Sequence, residues 1–262
     1  MIDEQKLRER LAGRLVGQSV ICLKTVGSTN EHAFGLANTG APEGTVVLAD
    51  EQRKGKGRLQ RVWQSPPGLN IYTSVILRPP FKPSVAPRIT LTVGVAVADL
   101  LSRRGLTGVT LKWPNDVLIG GRKACGILTE MKAAADRVDF VVVGIGLNVN
   151  MRMEDFGEEI LDRATSLREE TGRHVPREEL AAQLYHRLEK WYKVLLEEGF
   201  DPVRERWLAF AGILGKKIRA GRGADEEPGE VVGVDDDGAL LIRDERGLRR
   251  RVVTGDIIVE RG

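Results

Sequence analysis

A basic loop that runs from Gln52 to Trp63 carries the clearest chemical signal in the sequence. Five cationic side chains fall within nine residues, and Gly55 and Gly57 separate them. Glycine lets the backbone come close to a ligand, and cations together with backbone N–H groups bind carboxylate and phosphate oxygens. The loop is not a Walker loop, because no Gly-Lys-Ser/Thr follows at the right spacing, and it is not a dinucleotide fingerprint, because Gln60 stands where the third glycine belongs. The loop alone is therefore compatible with a small anionic ligand, with nucleic acid, or with plain solvation.

A second segment, Lys112–Asp116, ends an apolar run with Trp-Pro-Asn-Asp. Proline cannot continue a β-ladder, so Pro114 should end a strand and leave the following asparagine and aspartate at its tip. Gly120 and Gly121 then predict a tight hairpin turn, and the return strand can bring Lys123 back towards the same rim. A lysine there supplies a compact positive charge for a developing anion, whereas the alternative is an exposed strand lysine with no ligand.

Two more segments combine small, hydroxyl and amide side chains. Gly144–Asn150 follows an apolar run with alternating glycines and two asparagines, which leaves room for a flat base or ribose whose edge the amides can read. A loop with asparagine in turn geometry is the alternative. Residues 28–31, Ser-Thr-Asn-Glu, match a capping box, which predicts that a helix begins there and exposes N–H and hydroxyl groups suited to a small polar head group.

The elements that must position these segments follow from hydrophobic periodicity. We predict helices over residues 3–12, 28–38, 84–104 and 176–198, and strands over 18–26, 45–49, 69–77, 109–113, 117–119, 123–131 and 138–145. After about Gly212 the apolar runs shorten to three to five residues between Gly, Asp and Pro, as in a small barrel. The prediction is an α+β fold, with a mixed β-sheet and flanking helices over 1–212 and a small C-terminal β-barrel domain over 213–262.

Composition narrows the class of protein. Among 262 residues 42% are hydrophobic, and the net charge of +3 is too small to indicate a polyanionic partner. The two cysteines and three scattered histidines form no metal-ligand cluster, and no Gly-x-Ser-x-Gly elbow is present. The N-terminus lacks the pattern of a signal peptide, and no run approaches the roughly 18 apolar residues of a membrane span. We therefore expect a cytoplasmic protein with free thiols.

Taken together and in their order along the chain, these segments resemble the biotin protein ligase family. That family has Ser-Thr-Asn near its start, then Gly-Arg-Gly-Arg-x-Gly-Arg-x-Trp, Lys-Trp-Pro-Asn-Asp, Gly-Arg-Lys-x-x-Gly-Ile-Leu and Gly-x-Gly-x-Asn-x-Asn. The matching residues are 28–30, 55–63, 112–116, 121–128 and 144–150. Two departures lie in the loop: Lys56 keeps the charge of the usual arginine without its bidentate fork, and Gln60 replaces a glycine.

The resemblance implies a class II synthetase-like biotin/lipoate ligase domain followed by an SH3-like barrel. It implies that the biotin carboxylate attacks the α-phosphate of ATP, assisted by Mg²⁺, to give biotinyl-5′-AMP and pyrophosphate. A lysine of a biotin carboxyl carrier protein or domain, from acetyl-CoA carboxylase or a related carboxylase, then attacks the adenylate and releases AMP. Neither DNA nor a membrane is an implied partner, and a homodimer stays open.

The resemblance also implies roles for individual residues, each carried over at its matching position. The catalytic set is Lys123, Arg58 and Lys56. The biotin-binding set is Ser28, Thr29, Asn30, Gln52, Lys56, Gly57, Arg58, Lys123 and Gly126. The set that binds ATP or the adenylate is Arg58, Arg61, Trp63, Lys112, Asn115 and Asn148. Mg²⁺ is expected to arrive with ATP, with Asp116 as its candidate protein ligand.

Two alternatives to a biotin ligase are open. Lipoate–protein ligase resembles the family in fold and adenylating chemistry, and the Lys-Trp-Pro-Asn-Asp and Gly-Arg-Lys segments favour biotin over lipoate. A non-catalytic nucleic-acid-binding protein would bind through the basic loop and the barrel, with a steep salt dependence and no need for ATP. Some biotin ligases also repress transcription through an N-terminal winged helix. Only 27 residues precede Ser28, so we expect the short form and no operator binding.

Overall fold

The computed structural model describes residues 1–221 and 227–259. Within these ranges the α-helices are α1 (Glu4–Arg10), α2 (Thr29–Asn38), α3 (Pro87–Arg103), α4 (Leu167–Thr171), α5 (Arg177–Glu197) and α6 (Asp201–Phe210). The strands of the first sheet are β1 (Ser19–Val26), β2 (Thr45–Gln52), β3 (Ile71–Leu77), β4 (Val109–Lys112), β5 (Asp116–Ile119), β6 (Arg122–Ala133) and β7 (Val138–Leu147).

These seven strands form one mixed sheet in the order β1-β2-β3-β7-β6-β5-β4. The pair β1–β2 is parallel, and every other neighbouring pair is antiparallel. The parallel pair is joined through α2, because parallel neighbours need a crossover connection. In the antiparallel part, Gly126 of β6 lies opposite Gly146 of β7. This pairing places two of the sequence motifs side by side at one end of the sheet.

Helices cover both faces of the sheet. Along β2 and β3, Val46 and Val75 belong to the large core cluster that includes α3 and α5, while Val47 and Ile76 belong to a second cluster with α2. Successive residues of a strand point to opposite faces, so the two clusters lie on opposite sides. This arrangement explains why β3 is buried at every position, although its alternating sequence is also typical of a strand with one face in solvent.

The central helix α3 is unusually apolar. The helical segment Pro83–Arg103 is long and apolar enough to cross a membrane by length and composition, but 72% of its most apolar window is buried inside the protein. It packs against α5, α6 and several strands of the sheet. Burial by protein on nearly every side accounts for the hydropathy, as in the core helix of a soluble domain.

The C-terminal part is a five-stranded antiparallel sheet in the order β11-β10-β9-β8-β12. Its strands are β8 (Lys217–Gly221), β9 (Glu227–Val234), β10 (Leu240–Arg243), β11 (Arg249–Val252) and β12 (Asp256–Val259). This confirms the small all-β unit. It docks on the first domain through Trp113, whose Nε1 donates to Gly238 O at 3.1 Å, and through Arg88, whose Nε donates to Asp236 O at 2.5 Å. The boundary at residue 212 stays a prediction.

The predicted helices and strands are confirmed in type and order, but several features differ. The short helices α4 and α6 were not predicted, and β2 continues past Ala49 to Gln52. The capping box was wrong: a helix does begin after Ser28, but the serine side chain makes no capping hydrogen bond. Instead Gln52, arriving on β2, accepts from the backbone N–H of Thr29 at 2.9 Å. A contact from another strand thus satisfies the first free amide of the helix, whereas the capping box concerns the amide of Glu31.

Candidate active site

A cavity of about 730 Å³ opens where these elements meet. Its walls are the start of α2, the end of β2, the basic loop, the β4–β5 tip, and the facing parts of β6 and β7. Every residue for which the sequence predicted a ligand role lines it, namely Ser28, Thr29, Asn30, Gln52, Lys56, Gly57, Arg58, Arg61, Trp63, Lys112, Asn115, Asp116, Lys123, Gly126 and Asn148. The fold therefore brings all the motifs to one place. Their individual roles stay predictions.

The floor of the cavity is made of glycine. A Cβ at Gly146 would lie 2.5 Å from the Trp63 ring, and one at Gly126 would lie 2.9 Å from the same ring. The indole therefore packs directly on backbone where β6 and β7 pair. Its Nε1 is buried and has no hydrogen-bond partner among the described residues. A flat group fits on this floor only because no side chain rises from it.

A network of hydroxyl and amide groups forms one end of the cavity. Gln52 Oε1 accepts from the backbone N–H of Thr29 at 2.9 Å and from its hydroxyl at 3.1 Å. Gln52 Nε2 donates to Ser65 Oγ at 3.0 Å. Ser74 Oγ lies 2.8 Å from Thr29 Oγ1 and 2.6 Å from Asn30 Oδ1. Each of these groups is orientated by another, which fixes their donors and acceptors before any ligand binds.

Asn30 is more deeply engaged than its neighbours. Its Nδ2 donates to Leu128 O at 3.1 Å and to Glu130 Oε2 at 2.8 Å, while its Oδ1 accepts from Ser74. A Cβ at Gly144 would lie 2.2 Å from that oxygen, so the glycine makes room for the amide. Asn30 therefore ties α2 to β3 and β6 beneath the cavity, and protein groups already occupy its polar atoms.

The other end of the cavity is cationic. Gly120 and Gly121 have φ of 57° and 81°, so the predicted hairpin turn is confirmed. On the return strand, Lys123 Nζ lies 2.6 Å from Asp116 Oδ1 and 5.4 Å from the Trp63 ring centre. The first contact is an ion pair, since no described group donates a well-directed hydrogen bond to that buried oxygen. The ion pair thereby holds the Lys123 ammonium beside Gly126 of the glycine floor.

Arg58 reaches the cavity from the loop and touches two elements. Its Nη1 donates to Asn115 Oδ1 at 3.2 Å and to Asp256 Oδ1 at 3.3 Å, and its Nη2 donates to Gly255 O at 2.9 Å. Asn115 Nδ2 in turn donates to Ile127 O at 2.8 Å, which locks the β4–β5 tip onto β6. Burial lowers the pKa of the Arg58 guanidinium, and the charge of Asp256 opposes that effect.

Lys56 and Asn148 are held by protein in different ways. Lys56 Nζ lies 2.5 Å from Glu31 Oε1 on α2, and this hydrogen bond raises the pKa of the lysine. Asn148 Nδ2 donates to Thr165 O at 3.0 Å, while its Oδ1 accepts no hydrogen bond from the described residues. Lys56 thus fastens the loop to α2, and Asn148 keeps one acceptor free near Lys123.

The sequence analysis missed Asp256, which lines the cavity, and three residues that hydrogen-bond to its lining. Ser74 and Glu130 lie within regular strands, Ser65 follows the loop, and Asp256 opens β12 in the C-terminal sheet. Only Ser74 had a sequence signal, a polar residue inside a strongly apolar strand. No local motif marks the others, because each acquires its role from a partner distant in sequence.

Known proteins resemble the chain along nearly its whole length. Residues 22–148 match the Biotin/lipoate A/B protein ligase family, and residues 213–259 match the Biotin protein ligase C terminal domain. The Bacillus subtilis bifunctional ligase/repressor BirA is 38% identical over 256 residues, which is 98% of this chain and 78% of that protein. The biotin–[acetyl-CoA-carboxylase] ligase of Paracoccus denitrificans is 37% identical over 229 residues, 86% of this chain and 94% of that protein.

Solved structures agree with the sequence relatives. The biotin protein ligase from Aquifex aeolicus in complex with biotin and ATP superposes with a TM-score of 0.79 at 32% identity, and the match covers 94% of this chain and 100% of that one. Both the catalytic fold and the C-terminal sheet are included in a match of that extent. Fold, motif order and overall similarity agree, and the chain belongs to the biotin protein ligase family.

Proposed function

We propose that this chain activates biotin with ATP and then joins it to a lysine of a biotin carboxyl carrier protein or domain. One observation carries the proposal: a hydroxyl–amide end, the Trp63 ring on its glycine floor and a cationic end line a single cavity, and the β6–β7 register sets them in that order. Biotin has the matching order, a polar ureido ring, a flat apolar body and chain, and a carboxylate. The family supports this reading, since its relatives bear biotin ligase names.

The hydroxyl–amide end suits the ureido ring. That ring offers two N–H donors and one carbonyl acceptor, and the side chains of Ser28, Thr29 and Gln52 offer both kinds of group. Hydrogen bonds fix the Thr29 and Gln52 side chains, so these two need little ordering when the ligand arrives. Asn30 supports this wall from behind. The specificity of the site follows from buried polar groups that an analogue without the ureido ring would leave unpaired.

The cationic end suits adenylation. One carboxylate oxygen of biotin forms a bond to the α-phosphorus, the bond from that phosphorus to the bridging oxygen breaks, and pyrophosphate leaves with the electron pair. Both reactants are anions, so cations must offset their repulsion and the charge that develops on the phosphoryl oxygens. Lys123 and Arg58 supply that charge, with Lys56 on the loop. Asp116 keeps Lys123 orientated until the anions arrive.

The loop and its tryptophan protect the adenylate. A mixed anhydride hydrolyses unless water is excluded, and the Trp63 ring over the glycine floor closes that side of the cavity. Asn148, with its free acceptor, suits the exocyclic amine of adenine. In the second step the carrier amine forms an amide at the acyl carbon and AMP leaves. The amine must be neutral to attack, and nearby cations favour its neutral form.

The remaining proposals concern Mg²⁺, the carrier and location. Among the described residues no three His, Cys, Asp or Glu side chains are grouped to hold a metal. Mg²⁺ is commonly held by one or two carboxylates together with substrate phosphates, so ATP oxygens with Asp116 fit it.

The carrier is the biotin domain of acetyl-CoA carboxylase or a related carboxylase, as in the names of relatives. A cytoplasmic location, the absence of DNA and membrane partners, and an open monomer–dimer state stay predictions.

Biotin-dependent exchange of labelled pyrophosphate into ATP tests the proposal. We expect exchange with biotin and none with lipoate, followed by labelling of a biotin carrier domain. Exchange supported by lipoate alone would favour lipoate–protein ligase and contradict the proposal. The nucleic-acid alternative loses support from the loop itself, because Lys56, Arg58 and Arg61 are paired with carboxylates of this chain.

A further inference from the structure

The C-terminal domain reaches the cavity through one carboxylate. Among the described residues that line the cavity, Asp256 is the one that comes from this domain. It pairs with two arginines of the basic loop, with Arg58 Nη1 at 3.3 Å and with Arg61 Nη2. The two arginines lie 198 and 195 residues away in the sequence. Both domains therefore contribute residues to the cationic end of the cavity.

The backbone holds Asp256 in place independently of the loop. Gly255 has φ of +126°, and a Cβ there would lie 2.3 Å from Gly221 O, so this corner accepts only glycine. The same glycine offers its carbonyl to Arg58 Nη2 at 2.9 Å. Asp256 then pairs with Gly221 as β12 begins. A rigid corner of the sheet thus presents a carboxylate and a carbonyl to one guanidinium.

The two ion pairs differ in their exposure to solvent. The Arg58 side chain is 21% exposed, whereas that of Arg61 is 67% exposed. Exposed ion pairs are screened by water and contribute little, so the Arg58 contact dominates. Arg58 Nη1 also donates to Asn115 Oδ1 at 3.2 Å, which adds a third residue that holds the guanidinium. One carboxylate against two guanidinium groups leaves a net positive charge at the mouth of the cavity.

We propose that Asp256 is a positioning residue, which holds Arg58 where the guanidinium meets the phosphates of ATP and retains the adenylate. This inference rests on the proposed function and assigns the C-terminal domain a part in nucleotide binding. A guanidinium has five N–H donors, so Arg58 can keep its contacts with Asp256 while it binds phosphate. Without the carboxylate, the long side chain must be ordered during binding, which weakens the interaction.

Asp256→Ala tests the proposal, with Asp256→Glu as the rescue. In pyrophosphate exchange we expect KM for ATP to rise about tenfold when the charge-assisted contacts are lost. KM for biotin should change less than about twofold, because the ureido end is untouched. Bound biotinyl-5′-AMP should also dissociate faster. Asp256→Glu should recover part of the ATP affinity, which a purely structural loss would not do.

Asp244→Asn is the matched control, since Asp244 is a C-terminal carboxylate that pairs with Arg250 at 2.9 Å and does not line the cavity. It should leave all three quantities unchanged. A lower KM for ATP in Asp256→Ala would mean that the carboxylate mainly repels phosphate, and an unchanged KM with unchanged adenylate retention would mean that it does not position Arg58. Either result overturns the inference.

Tryptic cleavage of the ligand-free protein separates this inference from the proposed function. Release of the loop should speed cleavage after Arg58 and Arg61 several-fold in Asp256→Ala, but not in Asp244→Asn, whatever reaction the protein catalyses. Faster cleavage of Asp256→Ala, together with a wild-type protein that shows no biotin-dependent exchange, would support the positioning of Arg58 by Asp256 and contradict the proposed function. Equal cleavage in the two variants would show that Asp256 does not hold Arg58, which overturns this inference and leaves the proposed function intact. Melting temperatures within a few degrees of wild type show that the variants are folded.

Discussion

Lys123 is the residue on which the adenylation chemistry depends most directly. Its ammonium lies 2.6 Å from Asp116 and faces the Trp63 ring at 5.4 Å, so its position is fixed from two sides. The side chain is still 32% exposed, which leaves it accessible from the cavity. A fixed cation that needs no reorganisation stabilises a developing charge better than a mobile one does.

Lys123→Ala should lower kcat of biotin-dependent pyrophosphate exchange about a hundredfold or more, because the transition state loses a preorganised cation. The melting temperature should change little, since the lysine is partly exposed and Asp116 can take up water. Lys132 is an exposed lysine on the same strand as Lys123, and it donates to Asn38 of α2. Lys132→Ala should keep wild-type exchange. Retained activity in Lys123→Ala would remove the lysine from the catalytic set.

At the residue scale the sequence predicted what is local and missed what is distant. The loop, the Asn-Asp tip, Lys123 and the glycines could be found because each belongs to a compact motif. Asp256 could not be found, since its role arises from an arginine 198 residues away. The contact of Gln52 with the backbone N–H of Thr29 was missed for the same reason, since the two residues lie 23 apart in the sequence. Local rules can predict that a helix begins after Ser28, but not which distant side chain satisfies its first amide.

At the scale of elements, the pair β6–β7 serves as a flat platform. Its glycines weaken the strands, because glycine loses more conformational freedom on folding than any other residue. The register that sets Gly126 opposite Gly146 concentrates that cost at the cavity floor. Such a concentration of glycine in buried strands is explained by the close approach of a ring, here that of Trp63.

Gly146→Ala should therefore impair substrate binding more than folding. The added methyl group would meet the Trp63 ring at 2.5 Å and force the ring and any ligand off the floor. We expect KM for biotin or ATP to rise at least about tenfold, since a misplacement of about 1 Å can cost a hundredfold in rate. Gly35→Ala is the control, because nothing lies within 4 Å of that helical position. Equal kinetics in the two variants would show that the floor carries no ligand.

A second element-scale feature is the joint between α5 and the N-terminal segment. Glu189 on α5 is only 3% exposed and accepts from Val16 N at 3.1 Å and from Lys193 Nζ at 2.7 Å. Burial raises the pKa of its carboxyl, but these hydrogen bonds outweigh burial and hold the pKa below its ordinary value. The ionised carboxylate therefore stabilises the folded state.

Glu189→Gln should lower the free energy of unfolding at pH 7 by about 1–2 kcal/mol. Because the folded pKa is depressed, this contribution is present above the unfolded pKa of about 4.5 and is lost as the pH falls through the folded value. The deficit of the variant should thus shrink below about pH 4.5 in urea titrations. Glu197→Gln, an exposed position on the same helix, should show no such difference. A deficit that is independent of pH would contradict the charge argument.

The elements that the sequence failed to predict are those with weak periodicity. Helix α6 buries only Val203 and Trp207, and α4 has five residues with Leu167 buried. With so few apolar positions, the sequence of these helices shows no clear helical periodicity. By contrast α3 and α5 bury long stripes, which explains why their positions could be predicted closely.

At the scale of the whole molecule, the change in composition after Gly212 predicted the second domain correctly in kind. It could not predict where that domain docks. The docking depends on contacts such as Trp113 with Gly238 and Arg88 with Asp236, which join segments more than a hundred residues apart. Sequence patterns report which face of an element is apolar, but the charged and polar contacts that set one domain against another leave no periodic trace.

Thiol labelling offers a measure of how the whole molecule opens. Cys125 is fully buried in β6, next to the glycine floor, and burial raises the pKa of its thiol above the usual range. Cys22 is half-buried on the edge strand, and burial, helped by the charge of Glu4, raises the pKa of its thiol to about 11. Both thiols are free. Reaction at Cys125 therefore requires separation of the strands around it.

In a Cys22→Ser variant, an aromatic disulfide reagent should label Cys125 slowly in the native state and completely in denaturant. If labelling follows the open population, biotin with ATP at about a hundred times Kd should slow it about a hundredfold, which corresponds to about 2.7 kcal/mol. Biotin and lipoate can be compared in the same assay, since only a ligand that binds the folded site protects the thiol. Fast labelling that ligands leave unchanged would show that β6 opens independently of the site, and the platform would then not be the rigid element described.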